Sequence, residues 1–229
     1  MLSSRLPFRS FPLGILDRLF PPPKDPPRYP DPGCARTLLL GGAGPNAEIV
    51  KGSRKNVVVA DIRRGPGVTL LADLARPFPF RGGAFDEVFS LEFIEHVPHP
   101  ELPGLLAEAR RVLRPGGRWL SGCPDFEVLA AWFGLQCGCV ADWKADPACP
   151  HCGGRARISP SRWLKSVCGN QEDYGDGRRA DTHKNALWFA RLKELLESAG
   201  FRGVERVDAR TYYAAGKAEL KLVVAAVAG

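Results

Sequence analysis

Two short cysteine turns stand out as chemistry: Cys137-Gly138-Cys139, and nine residues later Cys149-Pro150-His151-Cys152-Gly153. C-x-C followed by C-x-x-C can wrap four thiolates around one tetrahedral ion, with Pro and Gly turning the backbone and His151 able to replace one sulfur. Four protein ligands leave no open coordination position, so the zinc expected on Cys137, Cys139, Cys149 and Cys152 is structural. Cys34, Cys123 and Cys168 are isolated and read as small apolar side chains.

A second constellation lies upstream. Gly41-Gly42-Ala43-Gly44-Pro45-Asn46-Ala47 is a turn in which missing side chains let the backbone approach a ligand and aim amides at it. Asp61 follows about twenty residues on, where a carboxylate can accept both hydroxyl hydrogens of a ribose. Gly42-x-Gly44-x-x-Ala47 also satisfies a relaxed dinucleotide fingerprint, so these positions alone leave NAD and S-adenosylmethionine (SAM) both open. Asp73 in Leu71-Ala72-Asp73-Leu74 adds an acid placed to accept from an adenine amino group, with the Leu74 amide meeting a ring nitrogen.

The elements that must carry these residues alternate along the chain. Apolar β-rich runs at Thr37–Leu40, Asn56–Ala60, Val68–Leu71, Glu87–Leu91 and Arg118–Ser121 are separated by turns or helical stretches, which predicts a parallel sheet. A helix is expected over Glu101–Leu113, with Leu102, Leu105, Leu106, Ala109 and Leu113 on one stripe and Pro115-Gly116-Gly117 as the stop. Another is expected over Asn185–Ala199, ended by Gly200, with strands at Val204–Ala209 and Leu220–Val227 after it. The link from Asp61 to Val68 is too short for a helical crossover, so a helix is expected to be missing there. Residues 137–182 fit neither period and read as an insertion. Residues 1–36 hold nine prolines and read as an arm.

Composition narrows the function classes. The hydrophobic share of 45% and charged share of 25% are those of an ordinary globular chain. A net charge of +7 would suit an anionic partner, yet Lys and Arg are interspersed with Asp and Glu, which makes nucleic acid the minority expectation. No apolar run approaches a membrane span and no signal-peptide core is present, so a cytoplasmic protein is expected. Seven cysteines in that compartment argue for metal rather than a disulfide framework.

Asp73-Leu74-Ala75-Arg76-Pro77-Phe78-Pro79-Phe80, Ala84-Phe85-Asp86-Glu87-Val88, Glu95-His96-Val97, Arg111-Val112-Leu113-Arg114-Pro115-Gly116-Gly117 and Pro124-Asp125 occur in an order that matches a known pattern. With them the chain resembles the class I SAM-dependent methyltransferases, and among these a small bacterial group with a DL-x-x-P-x-PF signature, over roughly Arg36–Phe133 and again from His183. The resemblance implies a Rossmann-like α/β fold, with a seven-stranded mostly parallel sheet, the last strand antiparallel, and helices on both faces. It implies SAM lying across the ends of strands one to four, with Gly41, Gly42 and Gly44 at the methionine moiety, Asp61 at the ribose and Asp73 with Leu74 at the adenine. Leu39 and Leu40 stand where many relatives carry an acidic or polar residue.

Under that resemblance Glu92 and His96, with Glu95, follow the fourth strand close to the sulfonium; they could equally start a helix and bond locally. Methyl transfer needs alignment and, for a hydroxyl acceptor, a base. His183 in Asp181-Thr182-His183-Lys184 and Asp125 are the candidates, His183 being equally readable as a residue that opens its helix. The domains expected are the arm (1–36), a SAM-binding core (37–136), a zinc-bearing lid (137–182) and a closing segment (183–229). The expected reaction moves a methyl group to a hydroxyl or amine of a small molecule or glycan-linked metabolite. An RNA methyltransferase, or a binding module without turnover, are the alternatives.

Overall fold

The computed structural model describes residues 36–42, 50, 54, 56–170 and 181–229. Residues 1–35 of the proline-rich arm, Gly44 and residues 171–180 lie outside the described residues, and Arg36 belongs to the first strand. Seven strands form one sheet: β1 (Arg36–Leu40), β2 (Asn56–Asp61), β3 (Leu70–Leu71), β4 (Phe85–Leu91), β5 (Leu113–Pro124), β6 (Phe201–Arg206) and β7 (Lys221–Ala228). Their order is β3-β2-β1-β4-β5-β7-β6, and β7 runs antiparallel to both neighbours, as the resemblance implied.

Alternation along β1 shows how the sheet acquires two buried faces. Leu38 and Leu40 point into one cluster and Leu39 into the other, and all three are fully buried. The first cluster is covered by α1 (Leu102–Val112), through Leu102, Leu105, Leu106, Ala109 and Val112, and by α4 (Phe189–Ser198), through Leu192, Leu195 and Leu196. The second is closed in part by the connection between β6 and β7, which includes a short α5 (Ala215–Ala218), through Ala209, Tyr213 and Ala218. Each large aliphatic side chain so buried stabilises the fold by about 1.5–3 kcal/mol.

Register then sets the level of the strand ends. Leu40 pairs with Ala60 and Ser90, and Asp61 pairs with Leu71. The residues that follow, Gly41, Asp61 itself, Asp73 and Glu92, therefore emerge along one edge of the sheet. Between Asp61 and Leu70 there is no helix, only a turn closed by Val68 N donating to Gly65 O at 3.2 Å.

Several expectations shift: Leu113, expected in a helix, begins β5, and the strand expected over Val204–Ala209 lies at Phe201–Arg206. The helix expected from Asn185 starts at Phe189, because the Asn185 side chain and backbone are drawn to the turn after β4, donating to Val97 O and Glu95 O. Within the stretch expected to be aperiodic lies α3 (Pro160–Cys168), a nine-residue helix capped by Ser159, whose hydroxyl accepts from Arg162 N. It packs through Trp163 and Val167 beside α2 (Phe126–Ala131), against a third cluster centred on Leu129, Ile158 and Leu220. Among the described residues, no helix is long and apolar enough to cross a membrane.

Candidate active site

A cavity of about 230 Å³ opens along the strand ends, lined by Gly41, Asp61, Asp73, Leu74, Glu92 and His96 among others. The first-strand turn reaches it through Gly41, whose φ of +68° favours glycine and whose absent Cβ would lie 2.3 Å from the Phe93 ring. Gly42 does not line the cavity: a Cβ there would meet Val59 at 2.4 Å and Leu39 at 2.8 Å, so its smallness serves packing. Asp61 is 6% exposed and uses Oδ1 to accept from Arg63 N at 2.8 Å, a turn that fixes the carboxylate. Asp73 similarly accepts from Ala75 N at 3.1 Å.

A second cavity of about 450 Å³ adjoins the first and shares Gly41, Arg63, Glu92, His96 and Asp181 with it. Its outer wall comes from the insertion, through Trp143, Arg162, Lys165 and Ser166, and from the C-terminal part of the chain, through Lys217 and Lys221. Arg162 stacks its guanidinium 4.3 Å from the Trp143 ring centroid. Trp143 in turn rests on Gly216, where a Cβ would come within 2.3 Å of the indole. Arg63 and Asp181 form an ion pair at 3.0 Å across the boundary between the cavities.

Glu92 sits at the end of β4 with φ of +54°, a left-handed conformation unusual for a residue with a side chain. Burial opposes its charge, but Lys221 and Lys217 outweigh that and hold its carboxyl below the ordinary range. Glu95 is 1% exposed, and burial, with the charge of Glu92 adding to it, pushes its carboxyl up to about 8.

The segment carrying His183 is stitched onto the turn after β4. Lys184 N and Asn185 N donate to Glu95 O at 2.7 and 3.1 Å, and His183 N donates to Cys168 O at 3.0 Å. The rings of His96 and His183 meet edge to face, 4.9 Å between centroids. Burial holds both imidazoles neutral, His183 down to about 4. His183 thus lines the second cavity and His96 both.

Asp125 has other work. It is 2% exposed, caps α2 by accepting from Glu127 N at 3.1 Å, pairs with Arg206 at 2.9 Å, and lines neither cavity. Arg162, Lys165, Lys217 and Lys221 were not singled out by sequence reasoning. The Ser159-Pro160 cap was the signal that could have revealed α3 and hence the first two.

Cys137, Cys139, Cys149 and Cys152 converge, with all four Sγ atoms within 4.8 Å of one another. The Cys137–Cys149 and Cys139–Cys152 sulfur separations are 3.7 and 3.5 Å. Tetrahedral zinc with bonds of about 2.3 Å sets sulfurs roughly 3.8 Å apart, so the cluster fits that ion. A disulfide would need roughly 2 Å. His151 is exposed outside the cluster.

Residues 41–121 match a family model described as a methyltransferase domain. An uncharacterized 37.1 kDa protein in transposon TN4556 of Streptomyces fradiae is 31% identical over 102 residues, 43% of this chain and 29% of that protein. The chain therefore spans less than a third of the length of that curated relative. A SAM-dependent methyltransferase from Archaeoglobus fulgidus is similar with TM-score 0.51 at 16% identity, covering 85% of this chain and 86% of that one. A chain of a Haloferax volcanii complex containing the Trm112 methyltransferase activator is similar with TM-score 0.50 at 15% identity, covering 88% and 85%. At such identities the likeness is one of fold. The matched stretch contains the glycine turn, Asp61, Asp73 and the end of β4, so that over residues 41–121 the chain is similar to a methyltransferase domain, and its seven-stranded sheet with the last strand reversed has the fold of the SAM-dependent methyltransferase structures it resembles.

Proposed function

We propose that the protein methylates a hydroxyl or amine of a small anionic acceptor, with SAM held in the first cavity and the acceptor in the second. The observation that carries this is the adjoining pair of cavities, the outer one ringed by Arg162, Lys165, Lys217 and Lys221. Among the described residues, Arg162 and Lys165 form no ion pair with a carboxylate, whereas Lys221 is paired with Glu92 and Lys217 faces the same carboxylate. Unpaired cations around a partly enclosed cavity favour a carboxylate or phosphate ligand.

In this reading Asp61 accepts from the ribose hydroxyls, Asp73 and Leu74 meet the adenine edge, and Gly41 lies along the methionine moiety. SAM supplies a methyl group on a sulfonium, the electrons of the broken carbon–sulfur bond staying on sulfur. His183 meets the acceptor, and its neutral imidazole can receive the proton the acceptor loses. The cysteine cluster holds zinc and fixes the insertion that presents Trp143, Arg162 and Lys165.

The test is methyl-labelled SAM incubated with cell extract resolved by anion exchange. Label is expected in small molecules retained on the column, and Arg162→Glu with Lys165→Glu should raise KM at least tenfold while leaving SAM affinity in place. His183→Ala should lower turnover with SAM binding unchanged. Label in RNA, or SAM binding with no labelled product in any fraction, would overturn the reading.

A further inference from the structure

We propose that Glu95, His96 and His183 form a second metal site, separate from the cysteine cluster, that takes one divalent transition ion such as Zn2+ between the two cavities. A carboxylate oxygen and one nitrogen from each ring lie within 4.8 Å of one another.

The tautomers follow from the hydrogen bonds. His96 Nδ1 lies 3.2 Å from Thr182 O and His183 Nδ1 lies 3.0 Å from Ser166 O. A carbonyl only accepts, so each Nδ1 carries the proton and each Nε2 keeps its lone pair. Metal-ligating histidines are held in this way, one ring nitrogen donating to a carbonyl and the other facing the ion. Two such nitrogens with one carboxylate make a ligand set that suits Zn2+ or Fe2+ and leaves coordination positions open.

Glu95 supplies the independent pointer. Both of its carboxylate oxygens are buried with no hydrogen-bond partner among the described residues. A buried carboxylate left alone is costly, and a bound cation removes that cost. The local fold is built to bring the three together: the hydrogen bonds from residues 183–185 reach the backbone of Glu95 itself and of Cys168. Gly169, with φ of +71°, lets the backbone of residues 181–183 pack against the end of α3, since a Cβ there would lie 2.1 Å from Asp181 O and 2.7 Å from His183 Cδ2.

The ion's role rests on the methyl-transfer reading above: from the wall between the cavities it would hold the acceptor oxygen or nitrogen and lower its pKa so that the proton is lost to water, replacing His183, then a ligand, as the base. Binding itself can be tested without SAM or acceptor. The full chain, stripped of metal, is titrated with Co2+ alone and followed by absorbance and elemental analysis. Two ions per chain are expected, one giving the intense sulfur-to-cobalt band of a tetrathiolate and one only weak visible bands. Glu95→Gln and His183→Ala should each lose the weak bands and one ion while keeping the thiolate band, which also reports that the variant is folded. Cys149→Ser should do the reverse. A wild-type chain that saturates at one ion with thiolate absorption alone would overturn the proposal, as would retention of both ions by Glu95→Gln and His183→Ala. A chain that binds the second ion yet methylates nothing refutes the function and not the site, and an active chain with one ion does the opposite.

Discussion

Replacing Asp61 tests the proposed ribose contact apart from local structure, because one carboxylate oxygen accepts within the turn after β2 whereas the proposal needs the side chain's charge. Oδ1 accepts from Arg63 N at 2.8 Å and shapes the turn after β2, while the side chain lines the first cavity at only 6% exposure. Asp61→Asn retains an oxygen for that turn but removes the charge and turns one acceptor into a donor. A hydrogen bond to a charged group is worth about 1.5–3 kcal/mol, and each 1.4 kcal/mol is tenfold, so SAM affinity should fall roughly ten- to 150-fold. Asp61→Ala should match that loss and in addition lower stability by about 1 kcal/mol, the worth of the turn hydrogen bond. Calorimetric titration with SAM, paired with thermal unfolding of both variants, measures the two quantities. If Asp61→Asn binds SAM like the wild type while Asp61→Ala merely unfolds sooner, Asp61 is a turn residue and its assignment to the ribose fails.

Asp125→Ala should cost about 1–2 kcal/mol through the lost cap, lowering Tm by about 2–8 °C with kcat within twofold; a collapse of kcat at unchanged Tm would return Asp125 to the chemistry. Removing metal from the cysteine cluster, or Cys149→Ser, should raise hydrogen exchange across residues 137–168 before the sheet responds, since zinc binding at such a site is itself folding free energy; unchanged protection would show that Leu129, Ile158 and Leu220 hold the segment alone. Gly41→Ala forces a side chain into a left-handed conformation and into the Phe93 ring, so both Tm and SAM affinity should drop; a variant as stable as the wild type would mean the turn relaxes freely.

The sheet could be read from the sequence because its strands are buried on both faces and its turns are marked by glycine and aspartate. That Asp61 and Asp73 would lie beside one another at the strand ends was legible for the same reason: residues at or just past the ends of paired parallel strands are placed by register. What escaped is what register does not reach. The α3 helix is half-exposed, with Leu164 57% exposed, so its apolar stripe is thin and only the Ser159-Pro160 cap announces it. The meeting of His96 with His183 depends on backbone hydrogen bonds between an irregular turn and an irregular strap, for which no periodicity exists. Asp125 illustrates the converse, since an acid at the end of a central strand has the same sequence signature whether it faces a ligand or caps the next helix.

The contact of Trp143 with Gly216 bears on how such a protein can be re-engineered. The knob belongs to the insertion and its socket to the short helix before β7, so the two halves of one joint are encoded far apart in the chain. A chimera that grafts residues 137–170 onto another sheet would import the cysteines and α3 but not the flat backbone on which the indole lies. With any larger residue in place of Gly216 the graft would perch away from its host, carrying Arg162 with it through the ring on which the guanidinium stacks. The outer wall of the second cavity is thus not a portable cassette: exchanging it between scaffolds requires moving both halves of the joint together.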